Sequence, residues 1–386
     1  MLTYLVFFII TAATYALFSL GLNLQWGVTG LLNFGHVAFM TVGAYTTVLL
    51  SLSGVPLIVA TVLGAIVAAL LGAILGISTL RLREDYLAIV TIGASEVVRL
   101  IALNEEWLTK GPFGVANYPF PLKNLTNPTM LSRFGFLLLW TAIFVGAGWQ
   151  LWRWFRRQGD RPKPQAPQPP RANPKLLGIG LSGLLGIGLW LVGVQAILTA
   201  YYDKVGLMLV LVTVLALVYW RSQISVNAPW GRVLKALRED EAVAQALGKN
   251  VFWYKLQALM LGGAIAGIAG AFYAWNLSYI NPDNFKTDIT FYAWTVVVLG
   301  GAGSNAGTIL GALIYGAFES VMNFLPNIFQ FLHSIIPAIP GDLNAIIDPG
   351  RLGAAQSMVV GLLLIVLMMA RPQGILGKKE ELTLGR

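Results

Sequence analysis

Apolar positions in this chain run in long unbroken stretches, separated by short polar connections instead of alternating with them. A helix that crosses a bilayer needs about 20 mostly apolar residues. Such stretches lie near 2–24, 34–51, 54–78, 86–102, 134–152, 176–199, 203–221, 256–276, 288–323 and 353–370. The ninth is too long for one span. It breaks at Gly300-Gly301-Ala302-Gly303-Ser304 into a half-length piece and a full helix. The pattern predicts an all-α polytopic membrane protein of about ten or eleven helical segments, broken half-helices included, in one transmembrane domain over 1–386.

Composition agrees with the pattern. Of the 386 residues, 56% are hydrophobic and 11% charged, whereas a soluble domain carries about 25% charged residues. Soluble enzymes, nucleic-acid binders and disordered scaffolds are poor fits. The net charge of +9 is sorted by position, with 19 of the 26 Lys and Arg at Arg81 and Arg83 and within 153–175, 221–255 and 371–386. By the positive-inside rule these stretches face the cytoplasm. Of the others, Arg99 lies in a span, and Lys110, Lys123, Arg133, Lys204, Lys286 and Arg351 are thinly spread over loops expected outside. No Lys or Arg precedes Arg81, so the first stretch lacks the cationic start of a signal peptide and is expected to remain, with its N-terminus outside.

Residues 153–175 (RWFRRQGDRPKPQAPQPPRANPK) are expected to form a stiff extended linker on the inside, because the prolines exclude helix. With 134–152 and 176–199 they make a simple hairpin for peripheral packing.

Two places share a layout. Residues 25–51 and 297–323 each contain an inward apolar piece, a Gly-rich break with Asn or Ser, and an outward helix studded with small residues. Each is followed by an inward span that ends in an Arg. This suggests two parallel halves related by an axis along the membrane normal. Broken backbone at membrane depth is tolerated only where it is buried in protein or lines a wet cavity. Gly30, Gly35, Gly301, Gly303 and Ser304 therefore either line a path or allow close packing, as Gly263-x-x-x-Gly267 does.

Intramembrane polar residues extend the candidate path. Glu96 and Arg99 share a face at i and i+3, so a structural ion pair and a substrate contact both fit. Glu319 has no local partner and lies near the outer end of its helix, as a snorkelling carboxylate or a path residue. Asn33 and His36 flank the first break, where hydrogen bonding to a broken helix end is expected ahead of path lining. One His without a second ligand makes no metal site. Cysteine is absent, and HExxH, GxSxG and GxxxxGK(S/T) do not occur. Neither catalysis nor nucleotide binding is therefore expected of this chain.

The most informative polar stretch is 222–255, SQISVNAPWGRVLKALREDEAVAQALGKNVFWYK. Pro229 breaks the preceding span, and a short amphipathic helix pair follows, with Val233, Leu237, Val243 and Leu247 available for an apolar stripe. Three consecutive acids, Glu239, Asp240 and Glu241, form its tip, and Gly248-Lys249-Asn250 resembles a C-cap.

GRVLKALREDEAVAQALGKNVFWYKLQA closely resembles the inside loop of permease subunits of branched-chain amino acid ABC importers, the LivM/LivH family. So do GLLNFGHVAFMTVGAY at 30–45, LRLREDYLAIVTIGASEVVRLI at 80–101, WLTKGPFGV at 107–115 and LGGAGSNAGTILGAL at 299–313. The likeness is closer to LivM, and within that group to the neutral amino acid permease subunits of cyanobacteria.

The resemblance implies an inner-membrane permease subunit of an ATP-driven importer for neutral or branched-chain amino acids. It also implies a second permease, two ATP-binding cassette subunits that hold the ATP, and a periplasmic solute-binding protein. Arg238, Glu239, Asp240, Glu241, Ala242 and Gly248 are then similar to the motif that docks on the ATPase, with Val243 replacing the second Ala and Gly248 one residue late. A urea-type permease shares these motifs, and a secondary transporter is the rival from another class. Against the family pattern, 134–199 looks inserted and 324–352 is long, like a segment lying at the outer interface.

Overall fold

The computed structural model describes residues 2–81, 84–122, 130–159, 186–188, 190–195, 197–198, 203–335, 349–370 and 373–377. Helices follow the apolar runs: α1 (Leu2–Leu22), α2 (Val37–Leu52), α3 (Leu57–Thr79), α4 (Glu84–Asn104), the short α5 (Glu106–Thr109) and α6 (Met130–Gly159). After these come α7 (Asp203–Asn227), α8 (Pro229–Glu239), α9 (Glu241–Ala246), α10 (Val251–Leu277), α11 (Asp288–Gly300), α12 (Asn305–Ile335) and α13 (Pro349–Ala370). The only strands among the described residues, Val115–Ala116 and Tyr279–Ile280, pair antiparallel with Val115 opposite Ile280.

Five described helices are long and apolar enough to cross a membrane, and α11 with α12 makes a sixth span bent by 118° at its break. The chain is an all-α, multi-pass membrane protein.

Boundaries moved for local reasons. The first span does not stop at residue 24, because a π-helix (Asn23–Val28) carries it to the break. Helix α6 runs on to Gly159, through the start of the expected linker, since the first proline comes only at Pro162. Most of that linker lies outside the described residues. Helix α12 continues past 323 to Ile335, so the first part of 324–352 is helical and 336–348 lies outside the described residues.

The chain divides into two compact units. The smaller comprises Met1–Phe7 and Pro121–Ala216, the larger Phe8–Phe120 and Leu217–Arg386. Within the smaller unit the two arms of the hairpin meet. Trp140 is buried, donates to the Trp190 carbonyl at 3.1 Å and fills the space beside Gly193.

In the larger unit α2, α3 and α10 pack closely through small residues. A Cβ on Gly43 would overlap the Gly267 backbone, and one on Gly267 would meet Ala68 at 2.7 Å. The Gly263-x-x-x-Gly267 pattern thus serves helix packing, where small residues let backbones approach without a hydrophobic drive between helices. Outside the helices, Tyr118 donates to the Ala274 carbonyl at 2.5 Å, and burial raises its pKa above the usual phenol range, so it stays a donor.

Candidate functional site

The two glycine-rich breaks, 280 residues apart in sequence, touch. The Gly303 amide donates to Asn23 Oδ1 at 2.8 Å, and Asn23 Nδ2 donates to Asn305 Oδ1 at 3.0 Å. Asn305 Nδ2 in turn donates to Gln223 Oε1 on α7 at 3.2 Å. A Cβ on Gly27 would overlap the Gly303 amide, so the backbones meet directly. Asn23 lies in the π-helix, whose wider turn continues α1 into this contact.

Residues 29–36 have no helical ladder, so their backbone groups, and those of the adjoining helix ends at Gly27 and Val37, need other partners. An unpaired backbone group away from water costs several kcal/mol. Four neighbours supply partners. Thr91 Oγ1 on α4 accepts from the Phe34 amide at 3.1 Å, and Thr290 Oγ1 on α11 accepts from the Val37 amide at 3.0 Å. The indole of Trp294 donates to the Asn33 carbonyl at 3.1 Å, and Asn33 Oδ1 accepts from the Gly35 amide at 2.9 Å. Asn33 Nδ2 donates to Gln25 Oε1 at 2.8 Å, and Gln25 Nε2 donates to the Leu259 carbonyl on α10 at 3.1 Å. The fourth is Arg238 of α8. Its Nη1 donates to the Gly27 carbonyl, and its stem lies against Gly30, which holds φ +84°.

The second break is closed similarly. The amides of Ile375 and Leu376 donate to the Leu299 and Gly300 carbonyls at 3.0 and 2.9 Å. These carbonyls end α11 and would otherwise lack partners. Gly301 packs against Gly377, and Ser304 Oγ accepts from the Gly307 amide at 3.1 Å, capping α12.

The predicted path residues therefore separate. Gly30, Asn33, Gly35, His36, Gly301, Gly303 and Ser304 belong to the two breaks and their closures. His36 is fully buried against Phe18 and Phe39, and its Nε2 donates to the Phe18 carbonyl at 3.2 Å. Glu96 and Arg99 pair as expected, but Arg99 also donates to Asp283 at 3.1 Å. Asp283 lies between α10 and α11, so the pair sits at the helix end by the 282–285 turn and not at mid-span. The 43% exposure of the Glu96 side chain fits that position.

Glu319 stands apart from the breaks. Because α12 runs from Asn305 to Ile335, it lies near the middle of that helix and not near its outer end as expected, one turn beyond Tyr315, whose ring packs on Tyr15 of α1 at 5.1 Å and on Tyr292 of α11 at 5.5 Å.

The 222–255 segment contains a helix pair as predicted, but its buried face differs. Leu234 and Leu237 of α8 and Ala244 of α9 are buried, whereas Val243 and Leu247 are 55% and 73% exposed. Asp240 Oδ1 caps α9 by accepting from the Val243 amide at 3.1 Å, which resets the helix direction and ends a single stripe. Gly248, at φ +74°, stops α9 as expected, the Gly248 and Lys249 amides donating to the Gln245 and Ala244 carbonyls, and Asn250 begins α10 by accepting from the Trp253 amide. Of the residues assigned to docking, Arg238 points into the break and Glu241 pairs with Lys255. Glu239, Ala242 and Gly248 are exposed.

Sequence reading missed Asn23, Gln25, Gln223 and Asn305. The signal available for the first two was their position as amides inside an apolar run, Gly21-Leu22-Asn23-Leu24-Gln25-Trp26. Asn305 is the Asn of the second break, next to Ser304, and nothing local marks Gln223.

Comparison with known proteins agrees with this architecture. A family model described as the permease component of branched-chain amino acid transport systems matches residues 4–369. The high-affinity branched-chain amino acid permease protein LivM of Escherichia coli is 29% identical over 363 residues, 94% of this chain and 67% of LivM. A probable LivM of Methanocaldococcus jannaschii is 30% identical over 43% of this chain and 45% of its own. LivH of Escherichia coli is 27% identical over 50% of this chain and 54% of its own. No solved structure matches. A polytopic helical chain with paired breaks, matched from residue 4 to residue 369, belongs to the permease components of branched-chain amino acid transport systems.

Proposed function

We propose that this chain is the permease subunit of an ATP-driven importer for branched-chain and other neutral amino acids in a bacterial inner membrane. It contributes half of a translocation path, and a second, related permease contributes the other half. Two ATP-binding cassette subunits hold and hydrolyse the ATP, and a periplasmic solute-binding protein delivers the substrate. The likeness to LivM and LivH, branched-chain amino acid permease proteins, supports the substrate class.

The observation that carries this reading is the bond from Arg238 to the Gly27 carbonyl. It joins a short amphipathic helix to the point where the two breaks touch. The adjoining α9 is exposed except at Ala244 and displays Val243 and Leu247 in a charged setting. Exposed apolar side chains on a polar, inward-facing segment suit a protein partner. Displacement of α8 by such a partner moves Arg238, and with it the Gly27–Gly30 backbone. Residues 373–377 tie down the second break in the same way, so opening the path on that side requires both closures to shift.

The direct test is uptake of labelled leucine, proline and urea in a strain lacking this chain, with and without its return. Restored leucine and proline uptake is expected, and uptake of urea alone would replace the substrate class. In the same system Val243→Arg with Leu247→Arg is expected to leave the chain at normal membrane levels. Its co-purification with the ATPase should fall by about tenfold or more, because an interface core tolerates charge poorly. Unchanged co-purification and uptake would remove α9 from the docking surface.

A further inference from the structure

A carboxylate held among helices without a cation is costly. Even the lenient insertion scale puts a buried Asp near 2.5–3.5 kcal/mol at about mid-membrane. Such groups pair with a cation or mark a functional site. Glu319 is in this position. Its Oε2 is buried with no hydrogen-bond partner. Helices α1, α11 and α12, which carry the rings described next, contain no Lys or Arg, and Lys255 of α10 pairs with Glu241.

What does surround it is aromatic. Tyr15 from α1, Tyr292 from α11 and Tyr315 from α12 form a closed triangle of rings, with centroids 6.5, 5.1 and 5.5 Å apart. Tyr315 and Glu319 are four residues apart on α12 and share a face. The Glu319 carboxylate is within electrostatic reach of the Tyr15 and Tyr273 phenols. Tyr15 and Tyr315 are buried, while Tyr292 and Glu319 are half-buried, so the cluster has an open side. Ring faces carry negative potential, and the carboxyl beside them adds negative charge when it ionises, which a bound cation favours, so the combination selects an organic cation.

We propose that Glu319, with Tyr15, Tyr292 and Tyr315, forms a binding site for an organic ammonium group, occupied in transport by the α-ammonium of the amino acid. The identity of the ammonium rests on the import reading above, but the cation site itself does not. A neutral amino acid always carries this group at physiological pH, whatever its side chain. One site of this kind therefore accepts many neutral side chains and contributes nothing for urea, which has no charge.

The first test reads the site without transport. The chain has no cysteine, so Met322→Cys places a single thiol at a half-buried position one turn from Glu319 on the same face of α12. In the purified complex with its partner subunits, labelling of this chain is timed with two methanethiosulfonates. One carries trimethylammonium, the other sulfonate. The ratio of the two rates, divided by the same ratio for free 2-mercaptoethanol, cancels both the thiol's own reactivity and the intrinsic difference between the reagents. With Glu319 present, the ammonium reagent is expected to react faster by about tenfold or more, and leucine to slow it. With Glu319→Gln added, the ratio should fall toward one. A ratio near one with Glu319 in place overturns the proposal, because the carboxyl is then neutral or out of reach.

The second test is import. Glu319→Gln should cut leucine uptake by at least about tenfold, equivalent to about 1.4 kcal/mol. Glu319→Asp should recover part of it, with the complex recovered intact in both. Normal uptake by Glu319→Gln overturns the transport role. If the unaltered chain restores no amino acid uptake, the import reading fails, while the labelling ratio still decides the cation site.

Discussion

Arg238→Ala will reduce amino acid uptake by between about tenfold and a hundredfold while the complex still assembles. The substitution removes the donor to the Gly27 carbonyl and the stem that lies on Gly30. Leaving one buried carbonyl without a partner costs about 1–3 kcal/mol, and each 1.4 kcal/mol is about a factor of ten. That is too little to unfold a subunit held by the α2–α3–α10 packing, but enough to change how the break responds to α8. ATP hydrolysis stimulated by the binding protein should persist, so transport and hydrolysis part company. Arg238→Lys should recover little, because an ammonium lacks the planar fork of a guanidinium. Wild-type uptake by Arg238→Ala would separate the inside loop from the break and remove the observation on which the import reading stands.

Gly35→Ala will prevent assembly altogether, although it adds one methyl group. A Cβ at this position would overlap the Thr91 carbonyl on α4, a backbone atom that cannot rotate away. The same stretch is fixed by the Phe34 amide on Thr91 Oγ1 at 3.1 Å, so the loop cannot retreat without losing that bond. Overpacking of this kind costs about 1–3 kcal/mol where side chains can yield, and more where they cannot. Loss of co-purification with the partner subunits is the expected readout. Gly93→Ala on the same helix α4 is the control, since a Cβ there meets nothing within 4 Å. It should assemble normally, and helix propensity favours Ala over Gly by about 1 kcal/mol. An assembled but inactive Gly35→Ala would instead give this glycine to the path. Sequence reading left packing and path lining both open at the breaks. At Gly35 and Gly27 the close approach of another backbone is what the packing alternative requires.

The spans, both breaks, the Glu96–Arg99 pair and the helix pair after Pro229 were legible because each is written locally. A run of apolar residues, a cluster of glycines, or two charges at i and i+3 carries its meaning within a few turns. The first span's true end was less legible, because a π-helix differs from an α-helix by one residue per turn and leaves no compositional trace. The direction of Arg238 was not legible either. On a helix presumed to face a partner, a basic residue among acids reads as surface, and only the packing of α8 on the π-helix turns it inward.

From the sequence alone came the membrane class, the approximate spans and the existence of two unusual breaks, since the bilayer imposes length and polarity rules on each segment separately. Only the tertiary structure decided that the breaks touch through Asn23, Gly303 and Asn305, that 373–377 closes one of them, and that three tyrosines from three helices gather beside Glu319. The physical reason is range. These contacts join residues as distant in the chain as Tyr15 and Tyr315, and hydrophobic periodicity specifies which face of a helix is buried without specifying which other helix covers it.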